Sequence, residues 1–162
     1  MYKQELTTKN ITPWRNTREY IIVHHTWTKH GTIKWVLNTI TKWNVSFHYV
    51  VDINWDMYKI WSTDNILWHT WISEWKWKKN MNNYSIWIEV VWWAGEKFPF
   101  IQRAAVKKLI EHLMFIFKIP KENVLRHKDI APNRKNDIAD IFWNNKYASW
   151  KDYQDSCKPN KF

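Results

Sequence analysis

Two apolar runs of strand length, set among segments with helical patterning, confine this chain to the α/β class. Tyr20-Ile21-Ile22-Val23 runs into His24-His25, and Tyr84-Ser85-Ile86-Trp87-Ile88-Glu89-Val90-Val91 is apolar apart from one acid and one serine. Their β-branched and aromatic content predicts strands, the first over residues 19–24. Ile33, Val36, Leu37 and Ile40 recur at helical spacing and predict a helix up to about Lys42. Ala105, Leu109, Ile110, Leu113, Met114 and Phe117 mark one face of a second helix over residues 101–118, stopped by Ile119-Pro120. Residues 46–52 and 57–60 read as a hairpin turning at Ile53-Asn54-Trp55-Asp56, and another hairpin-like piece leads to Trp68-His69-Thr70. Residues 74–83 read as a polar loop, and Val124-Leu125 as a short element delivering His127. The whole predicts a single α/β domain with a mixed central β-sheet flanked by helices. Residues 1–18 form a polar arm, 19–143 the domain, and 144–162 a tail packed on it or trailing from it.

The chemistry concentrates in His127-Lys128-Asp129-Ile130-Ala131-Pro132-Asn133-Arg134-Lys135-Asn136-Asp137. An imidazole and a carboxylate held by one short loop are two of the three protein ligands a catalytic zinc takes, and Lys135 places a cation where an oxyanion forms. The third ligand comes from the tip of the first strand. Successive strand side chains alternate faces, so one member of His24-His25 reaches the metal while the other packs behind it, and His24 is the expected ligand. Glu89, an acid in an apolar strand, is costly unless partnered or facing a polar cleft. It is read as a general base that takes a proton from the attacking water and hands it to the leaving amine. The alternative is a strand-edge glutamate facing solvent.

The 162 residues suffice for a core without disulfides, and the lone Cys157 excludes both an intrachain bridge and a Cys-rich zinc site. No run of signal-peptide or transmembrane length is present, so the expectation is cytoplasmic synthesis without a signal peptide and no membrane insertion. A net charge of +10 favours a polyanionic partner, nucleic acid or cell wall, although a scattered basic surface also serves solubility alone.

Val23-His24-His25-Thr26, Ser46-Phe47-His48-Tyr49, Trp68-His69-Thr70, Ser85-Ile86-Trp87-Ile88-Glu89 and the segment from His127 to Asp137 follow one another as in the type 2 N-acetylmuramoyl-L-alanine amidases. The chain resembles that family, which includes peptidoglycan recognition proteins and many phage endolysins, over roughly residues 18–143. The resemblance implies zinc-dependent hydrolysis of the amide between N-acetylmuramic acid and L-alanine in peptidoglycan. It implies His24, His127 and Asp137 as Zn2+ ligands, Glu89 and Lys135 as the catalytic pair, and Phe47, Trp68, His69 and Thr70 as substrate-binding residues. Many relatives carry Tyr where this chain has Phe47, which leaves the chemistry to Glu89 and Lys135; some carry Cys at the position of Asp137. The expected role is a phage-type endolysin acting on the wall after release, with a cytoplasmic muropeptide-recycling amidase and a non-catalytic peptidoglycan-binding module as alternatives. The expected partner is peptidoglycan or a muropeptide, not nucleic acid, and the chain is expected to be a monomer.

Fifteen tryptophans stand beside two glycines, where average usage gives roughly eleven glycines. Trp55 follows Asn54 in a predicted hairpin, the strongest position for glycine in a type I′ turn. Trp43 follows a predicted helix end, where glycine caps, and Trp87 shares a strand face with Glu89, where an indole crowds the cleft floor. By resemblance, Trp27, Trp71 and Trp92 also fall where the family has glycine, whereas Trp68 matches a family tryptophan. The expectation is that many of these are glycine in the natural protein, written as Trp through a misread codon such as UGA.

Overall fold

The computed structural model describes residues 3–4, 11–13, 15–26, 32–43, 45–92, 98–138 and 149–161. In chain order the elements are β1 (Lys3–Gln4), β2 (Ile11–Thr12), β3 (Tyr20–His25), α1 (Ile33–Trp43), β4 (Tyr49–Val51), β5 (Met57–Lys59) and β6 (Ile66–Leu67). They continue with β7 (Glu74–Trp75), β8 (Lys78–Lys79), β9 (Ser85–Val90), α2 (Phe100–Phe117), β10 (Val124–Arg126), α3 (His127–Ile130) and α4 (Trp150–Ser156). Among the described residues a six-stranded sheet runs β1-β5-β4-β9-β3-β10. The β4–β9, β9–β3 and β3–β10 pairs are parallel and β4–β5 is antiparallel, so the sheet is mixed as the sequence predicts.

Every residue of β3 is buried, which an apolar run demands when both sheet faces are covered. Alternation sorts the side chains into two cores. Ile21, Val23, Ile86, Ile88 and Val124 meet Leu109, Ile110 and Leu113 of α2 on one face. Tyr20, Ile22, Val50, Trp87 and Leu125 share the other with Val36 of α1. Removing a side chain such as that of the fully buried Leu109 costs about 2–5 kcal/mol. The helix α2 ends as Ile119-Pro120 predicts, with Lys118 in the left-handed conformation and its N–H donating to the Met114 carbonyl.

Three local expectations need correction. Residues 74–83 are not a plain loop: β7 and β8 form an antiparallel hairpin followed by a 3-10 turn at Met81–Asn83, pinned by Ser73 Oγ accepting from the Met81 N–H at 3.0 Å. The piece before Trp68 is no self-contained hairpin, because β6 pairs with β2 of the arm. Nor does all of the tail trail from the domain. Ser149 caps α4 by accepting from the Asp152 N–H, and Trp150 and Tyr153 are buried in the α2-side core. Among the described residues no helix is long and apolar enough to cross a membrane.

The arm is tied to the sheet as well as laid beside it. Asn16, fully buried, donates through Nδ2 to the Ser85 carbonyl at 2.7 Å at the start of β9. Lys3–Gln4 extends the sheet edge along β5 in parallel register.

Candidate active site

The parallel strands β10, β3 and β9 end together, and their C-terminal ends carry the chemistry. His24 is the register partner of Glu89. Arg126 pairs with Val23, so His127, the next residue, emerges beside His24. His25 points to the opposite face, its ring edge-on to Trp92 at 4.6 Å, as strand alternation requires. The segment after β10 is folded back tightly. Asp129 caps the start of α3, its Oδ2 accepting the Arg126 N–H at 2.8 Å while the Arg126 guanidinium donates to the same carboxylate. The Lys128 N–H then donates to the Asp137 carbonyl at 2.6 Å. That return places the Asp137 side chain over both histidines: Oδ2 lies 3.0 Å from His24 Nδ1 and 3.0 Å from His127 Nδ1.

Burial sets the protonation states. It holds His24 below the usual histidine range and takes His127 down to about 3, helped by the neighbouring imidazole and opposed by Asp137. Burial alone would raise Asp137, but hydrogen bonds to His127 and His24 outweigh it and hold the carboxyl well below its ordinary range. Glu89 goes the other way, pushed up to about 8 by burial and by the charge of Asp137, against the pull of Lys135. The result is two neutral imidazoles and a carboxylate converging on one point, next to a carboxyl that titrates near neutrality.

One ligand atom from each of His24, His127 and Asp137 falls within 4.8 Å of the others. Two imidazole nitrogens and a carboxylate oxygen are a donor set for zinc. The 3.0 Å separations approach the roughly 3.3 Å between ligands of a tetrahedral zinc with bonds of about 2.05 Å. The Nε2 atoms of both histidines are buried without a hydrogen-bond partner among the described residues, a cost that buried polar atoms ordinarily avoid.

These residues line a cleft of 760 Å³ that also holds Glu89, Lys135, Phe47 and His69. Trp68 and Thr70 are not among its lining residues. Trp68 is 55% exposed and donates Nε1–H to Thr12 Oγ1 at 2.8 Å, while Thr70 is buried against Ser73 and Asn82. The lining residues that the sequence reading had not assigned to the site include Trp35 and Val36 from α1, and Arg134. Arg134, adjacent to Lys135, donates to the Ile72 carbonyl at 2.9 Å and so joins the two rims. Its place in the short segment from His127 to Asp137 was the available signal.

His48 also acts without touching the cleft. Fully buried, it accepts the Trp87 N–H at Nδ1 (3.0 Å) and donates from Nε2 to the Asn65 carbonyl (3.1 Å), and burial lowers it to about 3. It therefore pins β9, two residues before Glu89, to the segment that leads to His69. Trp87 lies beneath the cleft rather than in it, fully buried against His24 and His69.

The sequence profile of the N-acetylmuramoyl-L-alanine amidases matches residues 14–140. The chain is 35% identical over 122 residues to N-acetylmuramoyl-L-alanine amidase AmiD of Escherichia coli (strain K12), covering 65% of this chain and 44% of the relative. It is 26% identical over 120 residues to 1,6-anhydro-N-acetylmuramyl-L-alanine amidase AmpD of Haemophilus influenzae (strain ATCC 51907 / DSM 11121 / KW20 / Rd), covering 74% and 62%. The chain thus spans about half the length of the curated relatives it matches. The solved structure of E. coli AmiD with anhydro-N-acetylmuramic acid-L-Ala-D-gamma-Glu-L-Lys superposes with a TM-score of 0.68 at 28% identity, over 78% of this chain and 54% of that one. A selenomethionine AmpD structure gives 0.69 at 19% identity, over 77% and 79%, a likeness of fold. Profile, relatives and fold agree with the cluster at the strand ends: the chain belongs to the N-acetylmuramoyl-L-alanine amidase family.

Proposed function

We propose that this chain is a zinc-dependent amidase that hydrolyses the bond between the lactyl group of N-acetylmuramic acid and L-alanine in peptidoglycan. The observation that carries it is the convergence of His24, His127 and Asp137 beside Glu89 in one cleft. His24, His127 and Asp137 would hold the metal, which when bound acidifies a water and polarises a carbonyl. Glu89 takes the proton of the attacking water and returns it to the alanine nitrogen as the amide C–N bond breaks. A carboxyl titrating near neutrality can do both. Lys135, whose charge already acts on Glu89, faces the developing oxyanion. Phe47 and His69 line the cleft where the glycan and stem peptide enter.

The role we propose is wall lysis of the phage-endolysin type, and the net charge of +10 supports an anionic wall as the working substrate. The second reading, a muropeptide-recycling amidase, is favoured by the named substrate of the AmpD relative. Product masses test the reaction: free stem peptides beginning with L-alanine are expected from purified peptidoglycan, and fragments cut elsewhere would contradict it. Faster turnover of intact walls than of soluble anhydromuropeptides would favour lysis over recycling.

A further inference from the structure

Two positions occupied by tryptophan have the geometry of glycine sites. At the β4–β5 turn the Trp55 N–H donates to the Asp52 carbonyl at 2.9 Å and the Asp52 N–H to the Asp56 carbonyl at 2.9 Å. Trp55 itself has φ 65°. This is a three-residue loop, a turn followed by a left-handed residue, rather than the two-residue turn that Asn54-Trp55 suggests in sequence. Its left-handed slot is glycine's, because a bulky side chain at positive φ meets its own backbone. The indole is 52% exposed, so little burial offsets that cost.

At position 87, in the middle of β9, the indole and the His69 imidazole stand edge-on with centroids 3.0 Å apart, closer than the 4.5–7 Å at which aromatic pairs settle. The indole also meets His24 at 4.5 Å, and its Nε1–H is buried without an acceptor among the described residues, which costs about 1–3 kcal/mol. Trp71 and Trp77, at 88% and 79% exposure, add apolar surface outside the core. Trp92 differs: it is buried and stacked on Phe98 at 5.2 Å, so its packing gives no sign of glycine. Trp27 lies outside the described residues, and Trp43 is the last residue of α1.

We infer that positions 55 and 87 are glycine in the natural protein, their codons being UGA read as tryptophan under one genetic code and as glycine under another, and that position 87 sets the depth of the cleft. Without a side chain at 87, β9 presents bare backbone beneath His69. His48 still holds the N–H of 87, so the strand stays in place. The His69 imidazole then has room to withdraw from the cleft, and the floor between His24 and His69 deepens where a glycan-peptide must seat. The statement about depth rests on the amidase reading; the identity of the two residues does not.

The codons, and the peptide masses of protein purified from its natural source, test the identity directly. UGA codons with glycine-mass peptides at 55 and 87 are expected; UGG, or a tryptophan-mass peptide, at either position overturns the inference. Recombinant Trp87→Gly, compared with the chain as written, tests the depth. A higher melting midpoint and a rise in kcat/KM on a muropeptide of roughly tenfold or more are expected. A lower midpoint would overturn the assignment of the slot to glycine, and an unchanged or lower kcat/KM would overturn the claim about depth. If the amidase reading itself fails, neither chain hydrolyses the muropeptide, while codons, masses and midpoints still decide the identity.

Discussion

His24 and Glu89 are register partners on adjacent parallel strands, so an imidazole facing Asp137 and a carboxyl pushed up to about 8 share one sheet face and one cleft. The pairing separates two jobs. His24 sits in the group of three that converges within 4.8 Å, whereas Glu89 stands next to that group and outside it.

Glu89→Gln is therefore expected to retain bound metal while losing roughly 10²-fold or more in kcat, since it removes a proton carrier and no ligand. Metal content and turnover of the same preparation check this. A variant as active as the parent would return Glu89 to a structural role.

His127→Ala or Asp137→Ala is expected to abolish both metal binding and activity, because three protein ligands are the set of a catalytic zinc site. Elemental analysis after dialysis reads the first effect independently of the second. Full metal retention in either variant would move the site elsewhere.

The raised Glu89 pKa makes a prediction for the metal-free protein. The folded chain holds this proton more tightly than the unfolded one, whose value is 4.5. The stability so contributed is complete below the unfolded value and is lost as pH rises through about 8. Urea midpoints of the metal-free parent should thus fall relative to Glu89→Gln between about pH 5 and pH 9. Parallel pH profiles for the two proteins would contradict the burial of an acid at that position.

His48→Ala leaves the buried N–H of residue 87 and the part-buried carbonyl of Asn65 without their partner. At about 1–3 kcal/mol for each orphaned group, a loss of roughly 2–6 kcal/mol is expected in chemical denaturation. A change below about 0.5 kcal/mol, the size of an ordinary surface substitution, would show that the pin is dispensable.

Local pattern carried much of this protein. Alternation along residues 20–25 separates His24 from His25, and helical spacing over residues 101–118 anticipates α2. The interval from His127 to Asp137 places two groups of the site on one short segment, and the structure brings them to 3.0 Å. Partners distant in sequence were not legible. His48 spans 39 residues to position 87 through a ring nitrogen, and nothing in Ser46-Phe47-His48-Tyr49 shows which backbone group it meets. The β2–β6 pairing of Ile11 with Leu67 is likewise a matter of register, invisible to propensity. The Asn54-Trp55 turn was misread because turn type depends on loop length, which follows from where β4 and β5 begin to pair.

The most direct test of the central claim follows metal and product together. The purified chain is stripped with a chelator, assayed on peptidoglycan with mass analysis of the products, and assayed again after stoichiometric zinc. Loss of L-alanine-terminated stem peptides on stripping, and their return with about one zinc per chain, is the predicted result. Undiminished release of the same products from the fully stripped protein would contradict the account.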